Sequence, residues 1–178
     1  MTDPQPIQDF SRCHEGILAR LAPLAELPAL LEGARRARTL AEGVLAFFEQ
    51  VVLAHHADEE RDLFPAVLRH AAPGDERTEV AGLVARLEGE HCAIERRWHD
   101  LEPALRAAAR GLLSAPDPEA VDRLLRDYRA HAEFEEATFL PLAAAILGRQ
   151  GDHLAALALS LHTRHEAQAL AQQIGFHV

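Results

Sequence analysis

At 178 residues and 19.6 kDa the chain has the length of one well-buried domain, and a second core is not expected. Its 28 acidic residues against 18 basic ones leave a formal charge of -10, which argues against nucleic acid or anionic lipid as a partner. No apolar run reaches the ~18 residues of a membrane span, and the opening MTDPQPIQD lacks both the basic and the apolar part of a secretory signal, so a cytoplasmic protein with no membrane partner is expected.

Ala, Leu, Glu and Arg dominate while β-branched and aromatic residues are scarce, which favours helix at almost every position. The expected fold is all-α: one domain over residues 1–178, with an up-and-down four-helix bundle over about 7–147 and an additional C-terminal helix over about 152–173. The first segment carries Ile7, Phe10, His14, Ile17 and Leu21 at steps of three and four, and Pro23 and Pro28 are breakers expected to kink it or to break it. The second stripe is Leu40, Val44, Phe47, Val51 and His55, closed by Ala72-Pro73-Gly74-Asp75. The third is Val80, Val84, Leu87, His91, Ile94, Trp98, Leu101 and Leu105, closed by SAPDP at 114–118. The fourth is Val121, Leu124, Tyr128, His131, Glu135, Thr138, Leu142 and Ile146, closed by GRQGD at 148–152. A weaker fifth stripe, Leu154, Leu157, Leu161 and Leu170, is expected to pack outside the four-helix core or in the interface of a homodimer.

Each of the first four stripes holds a histidine where a core residue is due. HHADEERDLFP from His55 and HAEFEEATFLP from His131 align with His, Glu, Glu and Pro at offsets 0, 4, 5 and 10. Of the two i, i+4 pairs in the first box, His55 with Glu59 matches His131 with Glu135, whereas His56 with Glu60 does not. That spacing sets His and Glu about 6 Å apart along one helix face, within reach of one ion. With a first turn roughly 17 residues after His14 and roughly 18 before His55, counted at ~1.5 Å per residue, those two histidines lie level; so do His55 and His91 about the second turn, and Glu135 comes within ~5 Å of the level of His91.

A lone histidine on an apolar face is ordinarily a hydrogen-bonded core residue, but four at one level with two glutamates are not explained in that way. Burying two uncompensated carboxylates costs several kcal/mol each, out of a total stability of roughly 5–15 kcal/mol. A divalent cation is the most economical counter-charge, because no lysine stands at that level. Four imidazoles and two carboxylates are too many for one tetrahedral zinc and suit two ions with bridging carboxylates; nitrogen and oxygen donors without thiolate favour iron, manganese or zinc. Ferritin-like di-metal bundles place glutamate before histidine in Glu-x-x-His, the reverse of the order here.

His14, the two boxes at His55 and His131, and His91 in EHCAIE together resemble the hemerythrin-like HHE cation-binding domain over about residues 7–147. The resemblance implies that His14, His55, Glu59, His91, His131 and Glu135 are iron ligands, with Glu59 and Glu135 bridging an oxo-type di-iron centre in which zinc or manganese can substitute. It also implies a small ligand: dioxygen, nitric oxide or peroxide. An iron or oxygen sensor, a metal-binding module without turnover and an iron-sulfur repair factor would use the same residues. Oxygen-carrying hemerythrins place a second histidine one turn after the third-helix ligand, where this chain has Glu95, and their fourth-helix carboxylate follows its histidine by five positions rather than four. Glu95 is open to three readings: a further ligand, a carboxylate orienting an imidazole, or a solvated residue paired with arginine. Glu60 and Glu136 share the last two. Cys13 and Cys92 adjoin proposed ligands and are expected to be small buried hydrophobes, with a redox role as the alternative; Tyr128 either walls the site or simply packs. His162 and Glu166, on the fifth segment, are expected at the surface.

Overall fold

The computed structural model describes residues 15–112 and 114–149. His14, Cys13 and the whole fifth segment, including His162 and Glu166, lie outside the described residues. Those residues form helices and turns with no strand, arranged as a helical bundle of three long arms. We label the arms α1 (residues 15–70), α2 (Asp75–Ala109) and α3 (residues 118–148). Among them no helix is long and apolar enough to cross a membrane.

Neither a break at Pro23 and Pro28 nor the first turn, expected about midway between His14 and His55, forms among the described residues. Helix passes through a 3-10 stretch, Ala22–Glu26, into Leu27–Phe47 without reversing. Both prolines sit in the first turn of the segment they open, where the missing N–H has no partner to lose and the fixed φ suits helix. Residues 15–40 are consequently exposed along their length, including Ile17 and Leu21, which were expected in a buried stripe, and Leu40.

The two connections are built from recognisable caps. Ala71 leaves the helix in an extended conformation and Gly74 opens α2 at φ 101°, a left-handed setting that glycine adopts without strain. At the other end Gly111, φ 75°, follows α2, and Gly111 N–H and Leu112 N–H return to the carbonyls of Ala108 and Ala107. Asp117 then caps α3 through the Glu119 N–H at 3.1 Å, with Pro118 in the first turn.

Neighbouring arms run antiparallel, as the pairs Glu49–Arg106 and Glu60–His91 show for α1 with α2, and Glu90–His131 and Glu76–Arg149 for α2 with α3. Two apolar layers result. One joins Leu63, Phe64 and Val67 to Val80, Val84, Leu87, Phe139, Ala143 and Ile146; the other joins Leu45, Phe48 and Val52 to Ile94 and Trp98, with Phe48 stacked on Trp98 at 4.0 Å. Between them lies a polar layer of buried histidine and glutamate.

Candidate metal centre

The polar layer is held by an irregularity that both boxes share. In each, a π-helical turn begins on the carboxylate, Glu59–Leu63 in α1 and Glu135–Phe139 in α3, with Phe64 and Leu140 N–H reaching back to the Glu59 and Glu135 carbonyls. The cause stands further along the chain. Pro65 and Pro141 have no N–H, and in an unbroken α-helix their rings would meet the carbonyls of Arg61 and Ala137. Widening the preceding turn by one residue places each proline in the first turn of a new α segment, Phe64–His70 or Leu140–Gly148. The extra residue also shifts the inward face: after Glu135 the buried positions are Phe139 and Ala143, whereas Thr138, expected there, is exposed.

Five ionisable side chains are buried together: His56 and Glu59 from α1, His91 from α2, and His131 and Glu135 from α3. His55 joins them from the edge, its side chain 27% exposed with Nε2 at 3.4 Å from Glu59 Oε1. Nδ1 of His56 donates to Glu95 at 3.1 Å, that of His91 to Glu60 at 2.8 Å and that of His131 to Glu90 at 3.1 Å. A carboxylate only accepts, so the proton of each neutral ring is on Nδ1 and the lone pair is on Nε2. Among the described residues all three buried Nε2 atoms have no hydrogen-bond partner, nor has Oε2 of Glu59, and His91 Nε2 faces that oxygen at 3.3 Å. Acceptors facing acceptors in a dry layer are unfavourable unless a cation lies among them. One ligand atom from each of His56, His91 and His131, and one from each of His55, Glu59 and Glu135, form two groups within 4.8 Å internally. The donor set therefore fits metal ions, with each imidazole oriented from behind by a carboxylate.

Electrostatics point the same way. Burial pushes Glu59 up to about 7 and Glu135 up to about 8, and the two carboxyl groups sharing one hydrogen bond stand as neighbours in one site. Burial, followed by the neighbouring imidazoles, lowers His55 to about 4 and His56 to about 2, and burial lowers His131 as well. Without a cation the layer prefers to be uncharged. Among the described residues only imidazoles stand within ion-pair distance of Glu59 and Glu135. Tyr128 closes one side, its ring 6.1 Å from that of His131 and 6.4 Å from that of His56; burial, then the two glutamates, raises it to about 12.

Of the expected residues, His55, Glu59, His91, His131 and Glu135 come together here. The inward face of α1 is mainly one position on from the expected row, at Ala41, Leu45, Phe48, Val52 and His56, with Val51 of the expected row buried as well. Two apolar rows one residue apart run along this helix, and the alignment of the boxes selected His55 and passed over His56. Glu60 and Glu95 orient imidazoles, as one of their readings had it, and Glu90, unremarked in the sequence, does the same for His131. Cys92 is exposed rather than buried, because it follows His91 on the helix and faces away from the layer.

A family model described as "Hemerythrin HHE cation binding domain" matches residues 5–143. A protein of Haemophilus influenzae, described as "Uncharacterized protein", is 27% identical over 159 residues, covering 85% of this chain and 89% of the relative. No solved structure matches.

Proposed function

Because the chain belongs to the hemerythrin HHE cation-binding domain family, we propose that its polar layer holds two iron ions and that this centre binds or responds to a small ligand such as dioxygen, nitric oxide or peroxide. The observation that carries the proposal is the convergence of unpartnered Nε2 atoms and a carboxylate oxygen between two apolar layers. His14, His55, Glu59, His91, His131 and Glu135 would be ligands, with Glu59 and Glu135 shared between the ions. When bound, such ions supply a redox-active pair able to coordinate a small molecule. Zinc or manganese would fit the same donors.

The chain's own contribution is to orient and to exclude. Glu60, Glu90 and Glu95 fix the imidazole tautomers from behind. Phe64, 5.9 Å from the His91 ring, stands on one side of the layer, and Trp98 belongs to the apolar layer on the other, so bulk water is kept from both ends. Among the described imidazoles of the layer His55 is the most exposed, and it would mark the side from which a small molecule reaches the site.

Protein expressed with abundant iron should contain about two iron ions per chain, because the donors outnumber what one ion takes from a protein. Full occupancy by a single ion, with no second one bound in excess iron, would contradict the dinuclear reading. Glu60→Ala leaves the His91 imidazole unsupported and should weaken metal binding roughly 10–100-fold in a chelator competition. Unchanged affinity would mean that the 2.8 Å contact with His91 does not orient a ligand.

A further inference from the structure

Resting on the two-ion reading above, we infer that His56 is the third imidazole of one ion, alongside His91 and His131, while its neighbour His55 serves the other ion with Glu59 and Glu135. Two residues adjacent in sequence then serve two metals. The side chains of adjacent helical residues diverge by about 100°, which suits one turn of α1 facing a dinuclear site from its side.

The three rings of the first group share one construction. His56 is stacked on His91 with centroids 3.9 Å apart and planes 5° apart, and His131 meets both edge-on at 5.8 and 4.8 Å. Each ring donates from Nδ1 to a carboxylate and leaves Nε2 buried with no hydrogen-bond partner among the described residues. A histidine kept for structure alone satisfies both nitrogens when buried; His56 satisfies one and directs the other where His91 and His131 direct theirs. His55 differs. Its ring is partly exposed, no carboxylate among the described residues accepts a hydrogen bond from it, and its Nε2 approaches Glu59.

Glu95 ties His56 to the neighbouring helix. It stands one turn after His91 on α2, and its Oε1 accepts from His56 Nδ1. In this arrangement α1 supplies the imidazole and Glu95 of α2 holds it in place. The doublet His55-His56 together with Glu95 is the sequence signature of the arrangement.

The test is an anaerobic titration of metal-free protein with Co(II) alone, followed by visible absorption and by competition with a chelator. His56→Gln should lower the capacity from about two ions per chain to about one, and His55→Gln should lose the other ion, leaving a different cobalt spectrum. Glu95→Gln should weaken only the ion lost in His56→Gln, by roughly 10–100-fold. Glu95→Gln, at a half-exposed position, also carries the test if His56→Gln does not fold. Two ions bound by His56→Gln with wild-type affinity would overturn the assignment, as would an unchanged Glu95→Gln. A lower melting temperature of metal-free His56→Gln with capacity unchanged would assign His56 a structural role and overturn it too. Wild-type protein that binds no Co(II) would instead refute the metal-centre reading on which it rests.

Discussion

Stripping the metal at pH 8 should lower the unfolding midpoint by roughly 8–16 °C for each ion that had been present at about 1,000 times its dissociation constant. That excess stabilises the native state by ~4 kcal/mol per ion, and a domain of this size shifts by about 2–4 °C per kcal/mol. The loss should depend on pH. Glu59 and Glu135 are raised from 4.5 to about 7 and about 8, so folding without metal holds protons that the unfolded chain releases, and stability falls as pH rises from about 4.5 to about 8. His55 and His56 are lowered, so their contribution runs the other way: stability rises with pH up to about 6.5 and is level above it. Between about pH 6.5 and 8 only the carboxylates act. Metal-free protein should therefore lose stability across that window, while metal-loaded protein, whose carboxylates are held ionised by the cations, should not. Circular-dichroism melts of both forms at pH 6.5 and 8 measure this. Superimposable melts after verified metal loss would contradict it.

Replacing Glu135 by Gln should have effects of opposite sign on the two forms. With Glu135 shared between two ions as proposed, the amide would remove a common ligand oxygen, so metal content should fall by at least half. In the metal-free protein the same change removes a carboxylate whose ionisation is opposed first by burial and then by Glu59. Metal-free Glu135→Gln should thus be more stable than metal-free wild type by a few kcal/mol at pH 8, with the advantage shrinking toward pH 4.5, where both carboxyl groups are protonated. A glutamate kept for structure would give the reverse, a variant less stable at pH 8. Urea titrations of metal-free proteins at the two pH values, beside iron analysis of the loaded ones, separate these outcomes.

The helical class and most of the site were legible because periodicity and the repeated box report on local geometry. The third stripe shows this best: Val80, Val84, Leu87, His91, Ile94, Trp98 and Leu101 are all buried as their spacing requires. Spacing rules assume a regular helix, and they failed where the helix is irregular. Thr138 was placed inward because the π turn after Glu135 adds a residue that the 3.6 period does not contain. The signal was nevertheless present: Pro65 and Pro141, used only to align the boxes, are also what force the turn. His56 was passed over for a different reason. Matching the boxes by position could choose one histidine of the doublet, while both lie at the polar layer, and the partner that distinguishes His56, Glu95, is far away in sequence. Pro23 and Pro28 suggest a break, although a proline in the first turn of a helix starts one as readily as it stops one. The preference for His55 with Glu59 rested on the chain's own repeat, and His55 does lie beside Glu59.

Where the metal sits is the central question, and anomalous diffraction at the iron edge answers it directly. Crystals of protein purified from iron-rich medium should show two iron peaks in the polar layer, one among His56, His91 and His131, the other beside His55, with Glu59 and Glu135 between them. No peak in that layer, or iron found only at surface carboxylates, would contradict the account.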